Sequence, residues 1–349
     1  MKIAQIAPLA ESVPPTLYGG TERVVSWLTE ELVAQGHEVT LFASGDSRTD
    51  AELVSVTPKA LRLNPDVRDG TPYHLILLDR VIRRAQEFDV LHFHIDMMHY
   101  PLFRSLRDRV LTTLHGRLDL PDLHPFYRAF PNMALISISN DQRKPMPPVN
   151  WQATIQHGLP KNLHRANTAP GKYLAFLGRI SPEKGPEDAI AIAIQAGLPL
   201  KIAAKVDNAD RVYFESRVKP LLDHPLIEYI GEIDEAHKSE FLGNAMALLF
   251  PIHWPEPFGL VMIEAMACGT PVIAYRRGSV SEVLEDGLTG FIVSDVAQAA
   301  AAIARIPELD RGKIRARFES KFTSQIMAQN YLNIYGRMIE RRAETSEAA

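Results

Sequence analysis

Twice along this chain, short apolar runs alternate with segments of helical period, and a polar stretch separates the two series. The first series opens with a strand over Lys2–Pro8. A helix follows over Thr21–Gln35, with Val24, Val25, Leu28 and Leu32 on one face and Gly36 as its stop. Strands are then expected at Glu38–Ala43, Val90–Phe93, Val110–Leu114, Ala134–Ile138 and Trp151–Gln156, with a helix over Tyr73–Glu87. A Pro-rich region, Arg143–Pro148, slackens the pattern, and His164–Lys172 is polar and unperiodic. The second series has strands at Tyr173–Leu177, Leu200–Ala204, Ile227–Ile230, Ala247–Phe250 and Pro271–Ala274. Helices fall at Glu187–Ala196, Arg211–Leu222 and Ala236–Asn244, and a last long one at Thr323–Arg341. Strands alternating with helices imply parallel sheets covered on both faces. The fold class is therefore α/β, with two doubly wound (Rossmann-like) domains in tandem. The first covers about 1–163 and the second about 164–324. Ligands of such sheets bind beyond the carboxyl ends of the strands, so two domains facing across a cleft would suit two substrates.

A chain of 349 residues fits two domains. Its net charge of −4 gives no reason to expect nucleic acid. The single cysteine, Cys268, excludes an intrachain disulfide and fits a reducing cytoplasm. No apolar run reaches the roughly 18 residues of a membrane span, and the N-terminal run is too short for a signal peptide.

The stretch from Pro255 to Val272 carries the chemistry. Glu256 and Glu264 stand eight positions apart, separated by Pro257, Gly259 and a run compatible with a helix. Glu256 should lie in the loop and Glu264 about two turns inside the helix. The helix start offers backbone N–H groups and a positive dipole end to an anion. A buried glutamate needs a partner, and a sugar with paired hydroxyls would be one. A glycosidase pair is disfavoured, because eight helical residues span roughly 12 Å, too far for the retaining arrangement. Upstream, a strand should end at Gly178, with Arg179 and Lys184 following in Phe176-Leu177-Gly178-Arg179-Ile180-Ser181-Pro182-Glu183-Lys184-Gly185. Small residues allow close approach, and the two cations can neutralise a diphosphate.

These motifs together resemble the retaining family 4 glycosyltransferases of the GT-B architecture. The resemblance extends to Gly19-Gly20-Thr21-Glu22 and to the turn Asp286–Gly290, and so covers nearly the whole chain. It implies a metal-independent hexosyltransferase, with the donor on the second domain, the acceptor on the first, and the last helix (about 325–349) packed back on the first. Arg179 and Lys184 would bind the donor diphosphate, and Gly178 would let it approach. The backbone N–H groups of Phe258, Gly259 and Leu260 would help hold the donor. Glu256 would bind the transferred sugar and Glu264 the ribose, while Ile233 lies in the loop that flanks the base. Gly19 and Gly20 would meet donor phosphate and acceptor, with Thr21 as an ordinary helix cap. His115 would contact the sugar, with a role as acceptor base discussed for the family. No Asp-x-Asp occurs, and arginine and lysine make a metal unnecessary for the phosphate.

His92, His94, Asp96 and His99 read as residues of the cleft edge rather than metal ligands. Lys205 is an additional candidate for phosphate. Where many relatives have Asn-Gly-Val-Asp, this chain has His157-Gly158-Leu159-Pro160. Two basic clusters, Arg80/Arg83/Arg84 and Arg104/Arg107/Arg109, suggest a solvated helix face, or peripheral contact with an anionic membrane if the acceptor is lipid-linked. The expected partners are a nucleotide sugar and a small-molecule, glycan or lipid-linked acceptor. No cofactor is needed, and UDP stands ahead of GDP or ADP. A nucleotide-sugar epimerase and a non-catalytic nucleotide-sugar-binding protein are the alternatives. A dinucleotide dehydrogenase is disfavoured, because Pro-rich sequence rather than Gly-x-Gly-x-x-Gly follows the first strand.

Overall fold

The computed structural model describes residues 1–16, 19–62 and 64–347. Tyr18, which precedes the Gly19-Gly20 pair, lies outside them. The chain divides into two compact units, Met1–Pro160 with Ser324–Ala349, and Lys161–Thr323. In the first, the elements run β1 (Lys2–Ile6), α1 (Gly20–Ala34), β2 (Glu38–Ala43), β3 (Glu52–Ser55), α2 (Thr71–Arg84), β4 (Val90–Phe93) and α3 (Tyr100–Phe103). They continue with β5 (Val110–Thr113), α4 (Leu123–Ala129), β6 (Ala134–Ser137) and β7 (Trp151–Thr154). The second unit runs β8 (Tyr173–Arg179), α5 (Pro186–Ala196), β9 (Leu200–Lys205), α6 (Arg211–Tyr213), β10 (Ile227–Gly231), α7 (Glu235–Gly243) and β11 (Ala245–Phe250). It continues with α8 (Leu260–Ala267), β12 (Val272–Tyr275), α9 (Val280–Val283), β13 (Gly290–Val293), α10 (Val296–Ile303) and α11 (Arg311–Lys321). The last helix, α12 (Ser324–Glu347), belongs to the first unit and packs on α1.

Both sheets are parallel throughout. Their strand orders are β3-β2-β1-β4-β5-β6-β7 and β10-β9-β8-β11-β12-β13. The order reverses between β1 and β4 in the first and between β8 and β11 in the second. The strands at these points are buried on both faces, as in β4, where all four residues are enclosed. Phe42, Phe93, Phe103 and Leu135 anchor the first core, and Phe176, Ile202, Leu249 and Ile273 the second.

Three local expectations need correction. The helix expected over Arg211–Leu222 breaks into the short α6, a π-helical stretch (Phe214–Val218) and a 3-10 turn (Lys219–Leu221). Pro220 explains the break, since it lacks an N–H and its ring crowds the preceding turn. The strands β3 and β13 were not legible. Each has four residues, and β3 is half-buried at a sheet edge without a continuous apolar run. The strand expected to end at Gly178 continues through Arg179.

Candidate functional site

In a doubly wound sheet, the loops after the two strands at the reversal of order frame the binding crevice. In the second unit these strands are β8 and β11. Arg179 is the last residue of β8 and pairs in register with Lys205 of β9. A short turn, Pro182–Lys184, leads to Gly185, which takes the left-handed φ of 67°. A Cβ at Gly185 would lie 2.1 Å from the Pro251 carbonyl oxygen, so only glycine lets the β8 and β11 loops press together here. That contact delivers Lys184 to Glu256. The Lys184 Nζ donates to Glu256 Oε2 at 2.5 Å, and Trp254 Nε1 donates to the same oxygen at 3.0 Å. The ammonium also lies 5.1 Å from the centre of the Trp254 ring.

The loop from Pro255 to Gly259 is held from a side the sequence did not announce. Ser279 donates its backbone N–H to the Glu256 carbonyl at 2.9 Å and its hydroxyl to the Phe258 carbonyl at 2.8 Å. Gly278, at φ 52°, packs so closely that a Cβ would fall 2.3 Å from the Glu256 nitrogen. Phe258 is buried, Gly259 precedes the helix at φ 79°, and Leu260 begins α8. The first N–H groups of α8 have no partner within the helix itself. An Arg-Gly-Ser run was visible at Arg277–Ser279, but nothing in it pointed to Glu256.

Each cation expected to meet phosphate has a carboxylate of its own. Arg179 pairs with Glu183, and its guanidinium lies 3.7 Å from both Asp207 and Asp210. Lys205 meets Asp207 at 2.9 Å. Burial alone would raise the Glu183 carboxyl. Its own backbone N–H, the Ser181 side chain and Arg179 together outweigh burial and hold it below the usual range. At Asp210 burial wins over Arg179 and raises the carboxyl.

Glu264 differs from expectation in position, and it has a partner within the protein. Because α8 starts at Leu260, Glu264 is just past the first turn, not two turns in. It is buried, and its partner is Lys238 of α7, whose Nζ donates to Glu264 Oε1 at 2.7 Å and also reaches Glu235 at 3.2 Å. His164 Nε2 lies 3.4 Å from Glu235, so the ligand atoms of His164, Glu235 and Glu264 fall within 4.8 Å of one another. The Lys238 ammonium supplies the positive charge between the two glutamates. Ile233 is half-buried in the loop between β10 and α7, beside Asp234, which caps α7. Gly178 has open space where a Cβ would stand.

In the first unit the strands at the reversal are β1 and β4. After β1, Gly19 caps α1 and Gly20 begins it; Thr21 is inside the helix and makes no cap, contrary to expectation. The buried Glu22 follows, pushed up by burial, with Glu11 and Arg62 acting on its charge. The histidines expected at the cleft edge are interior. His92, His94 and His99 are buried, and His99 stacks on Phe93 with ring centres 3.8 Å apart. His92 bonds Thr113 Oγ1 at 2.8 Å and the Tyr335 hydroxyl at 2.7 Å. His94 bonds Gln5 Oε1 at 2.8 Å and His115 Nε2 at 2.8 Å. His115 follows β5, is half-buried, and stacks on His157 with centres 5.2 Å apart. Enclosure of its nitrogens pushes it down to about 3, and burial drives His92, His94, His99 and His157 well below their ordinary value. Asp96 alone of that group is exposed, in the left-handed region at φ 51°.

Two family descriptions match this chain, one in each unit. "Glycosyltransferase Family 4" matches residues 18–143, and "Glycosyl transferases group 1" matches residues 162–323. The chain belongs to the family 4 glycosyltransferases. It is 25% identical to a phosphatidyl-myo-inositol mannosyltransferase of Mycobacterium leprae, over 96% of each chain. It is 26% identical to a glycogen synthase of Mycobacterium tuberculosis, over 92% of each. Among solved structures it resembles an Anabaena protein in complex with UDP and glucose. That likeness has a TM-score of 0.71 at 17% identity, covers 97% of this chain and 100% of the other, and concerns the GT-B fold.

The basic clusters of this glycosyltransferase are largely engaged. Arg84 pairs with Glu52 and Glu87, Arg83 with Asp79, and Arg109 donates to the Phe88 carbonyl at 2.7 Å. Among the described residues no helix is long and apolar enough to cross a membrane.

Proposed function

We propose that this glycosyltransferase moves a hexose from a nucleotide-diphosphate sugar to an acceptor with retention of configuration, and that no metal serves the diphosphate. The observation that carries this reading is the meeting of Lys184 with Glu256 at 2.5 Å, in loops that follow the two strands at the reversal of order. Arg179 stands on the same strand end. Departure of a nucleoside diphosphate builds negative charge on the leaving group and an oxocarbenium-like sugar. Preorganised cations lower that barrier, and loss of one such group typically slows reaction by roughly 10²–10³.

The carboxylate partners give the mechanism its order. An arriving diphosphate takes over the Lys184 ammonium and the Arg179 guanidinium from Glu256 and Glu183. Glu256, still held by Trp254, is then available to hydroxyls of the transferred sugar. The first turn of α8 adds N–H donors and its dipole to the phosphate. Glu264 takes the ribose hydroxyls and Lys238 keeps it oriented, while Ile233 flanks the base. Lys205 lends further positive charge beside Arg179, and Gly19 and Gly20 lie at the start of α1 to meet phosphate or acceptor. His115 accepts a hydroxyl of the sugar. Retention follows from attack on the face from which the diphosphate leaves, with a phosphate oxygen receiving the acceptor proton.

UDP is the favoured nucleotide, ahead of GDP and ADP, in keeping with the Anabaena structure named with UDP and glucose. The acceptor is a small molecule, a glycan or a lipid-linked sugar, and the protein works in the cytoplasm. The test is incubation of the purified chain with UDP-glucose, GDP-mannose and ADP-glucose and a panel of acceptors in the presence of EDTA. A product of retained anomeric configuration is expected. An inverted product, dependence on a divalent metal, or an altered sugar nucleotide formed without acceptor would overturn the reading; the last would indicate an epimerase.

A further inference from the structure

The buried polar network of the first unit has a direction, and its distances reveal it. Gln5 of β1 stands at its centre, with its amide nitrogen 3.2 Å from the Tyr335 hydroxyl and its amide oxygen 2.8 Å from His94 Nε2. Tyr335 continues to His92 Nδ1 at 2.7 Å, and His92 Nε2 to Thr113 Oγ1 at 2.8 Å. On the other side His94 Nδ1 lies 2.8 Å from His115 Nε2. Burial keeps the three imidazoles neutral, so each carries one N–H and one lone pair.

When the Tyr335 hydroxyl spends its own proton inside the network, two proton orders satisfy every link. In the first, Gln5 donates to Tyr335, Tyr335 donates to His92 Nδ1, and His92 Nε2 donates to Thr113. His94 Nε2 then donates to Gln5, and His115 Nε2 donates to His94. In the second the amide is turned and every link reverses. Hydroxyl donors make the shorter bonds, about 2.7–2.8 Å, and N–H donors the longer ones, about 2.9–3.0 Å. The first order assigns the 2.7 Å link to an O–H donor and the 3.2 Å link to an N–H donor. The second would stretch an O–H bond to 3.2 Å. The free end agrees. His115 Nδ1 is enclosed and has no hydrogen-bond partner among the described residues. The first order leaves a lone pair there, and the second a buried N–H without an acceptor, the rarer defect in folded proteins.

We propose that Gln5 and Tyr335 are positioning residues that fix the proton order of the relay through His94, so that His115 Nδ1 is held as a lone pair reserved for a sugar hydroxyl. The purpose assigned to that lone pair rests on the reading of His115 given above; the proton order itself does not. A hydroxyl brought to His115 must donate its proton, so the relay selects a ligand that donates at that point and rejects one that can only accept.

The test is the tautomer of His115 in the full-length protein labelled with ¹⁵N-histidine, read by long-range ¹H–¹⁵N correlation at pH 7.5. The wild type should carry its proton on Nε2 of His92, His94 and His115. Gln5→Glu, which preserves an oxygen for the His94 N–H, should leave His115 unchanged. Gln5→Leu, which removes both links, should give His115 a measurable Nδ1–H population. An Nδ1–H tautomer in the wild type overturns the proposal, and so does a folded Gln5→Leu chain whose His115 matches the wild type. The wild-type spectrum decides even if the variants fail to fold. It also needs no turnover, so a correct tautomer in a chain that consumes no nucleotide sugar would refute the functional reading and leave the proton order standing.

Discussion

At the reversal of strand order the two units present opposite chemistries on the same scaffold. Around β1 and β4 the first unit encloses neutral groups, with Gln5 hydrogen-bonded to His94 directly and to His92 through the Tyr335 hydroxyl. Around β8 and β11 the second unit encloses charges in pairs, Lys184 with Glu256 and Lys238 with Glu264. A buried imidazole can discard its proton and stay as a hydrogen-bonding dipole. A lysine and a glutamate brought together keep their opposite charges and neutralise each other, and removal of either partner strands the other. One unit thus encloses neutral hydrogen-bonding groups there, and the other encloses paired charges.

Acid should separate the two most strongly. A histidine whose folded pKa lies below its unfolded value binds a proton only on unfolding. Its contribution is complete above about pH 6.5 and is lost as pH falls below it. Five rings lowered chiefly by deep burial, His92, His94, His99, His115 and His157, lie in the first unit. Between pH 7.5 and 5.5 that unit should lose on the order of 5 kcal/mol. In the second unit the depressed Glu183 holds its contribution until pH falls below its ordinary value of 4.5. Hydrogen exchange read by mass spectrometry across this range should show the first unit opening first. Simultaneous opening would break the contrast.

Next in size is the catalytic effect of a lost cation. Lys184→Ala should slow sugar transfer by roughly 10²–10³ with the fold intact by circular dichroism. Lys238→Met should lower stability by about 3 kcal/mol, since it leaves Glu264 buried without its ammonium. The double variant with Glu264→Gln should recover much of that loss in chemical denaturation. Equal stabilities for the single and double variants would show that the pair is not coupled. The smallest effect is expected at Lys205. It lies beside Arg179 in the sheet but is already paired with Asp207, so Lys205→Ala should weaken diphosphate binding about tenfold, one charge-assisted hydrogen bond. Unchanged affinity by calorimetry removes it from the site.

The sequence was legible where chemistry is local. The alternation of strands and helices announced both sheets, and Arg179, Lys184 and Glu256 could be picked out within short motifs. It was silent where partners are distant. Tyr335 meets His92 across 243 positions and Gln5 across 330, so the histidines read as residues of the cleft edge although α12 packs against them. Lys238, 26 positions from Glu264, left no mark in the Pro255–Val272 stretch, which is why a sugar hydroxyl was the partner expected. Gly278 and Ser279 support Glu256 through its backbone, which a reading of side-chain chemistry does not reach.

The most direct test of the ion-pair site is titration calorimetry of the chain with UDP, GDP and ADP in EDTA, on the wild type and on Lys184→Ala. An ion-pair site of this kind requires that at least one nucleoside diphosphate binds without metal, and that the variant binds it at least tenfold more weakly. At 100 times its dissociation constant that ligand should also stabilise the wild type by about 2.7 kcal/mol. Binding that requires a divalent metal, or that is equally strong without the Lys184 ammonium, would contradict it.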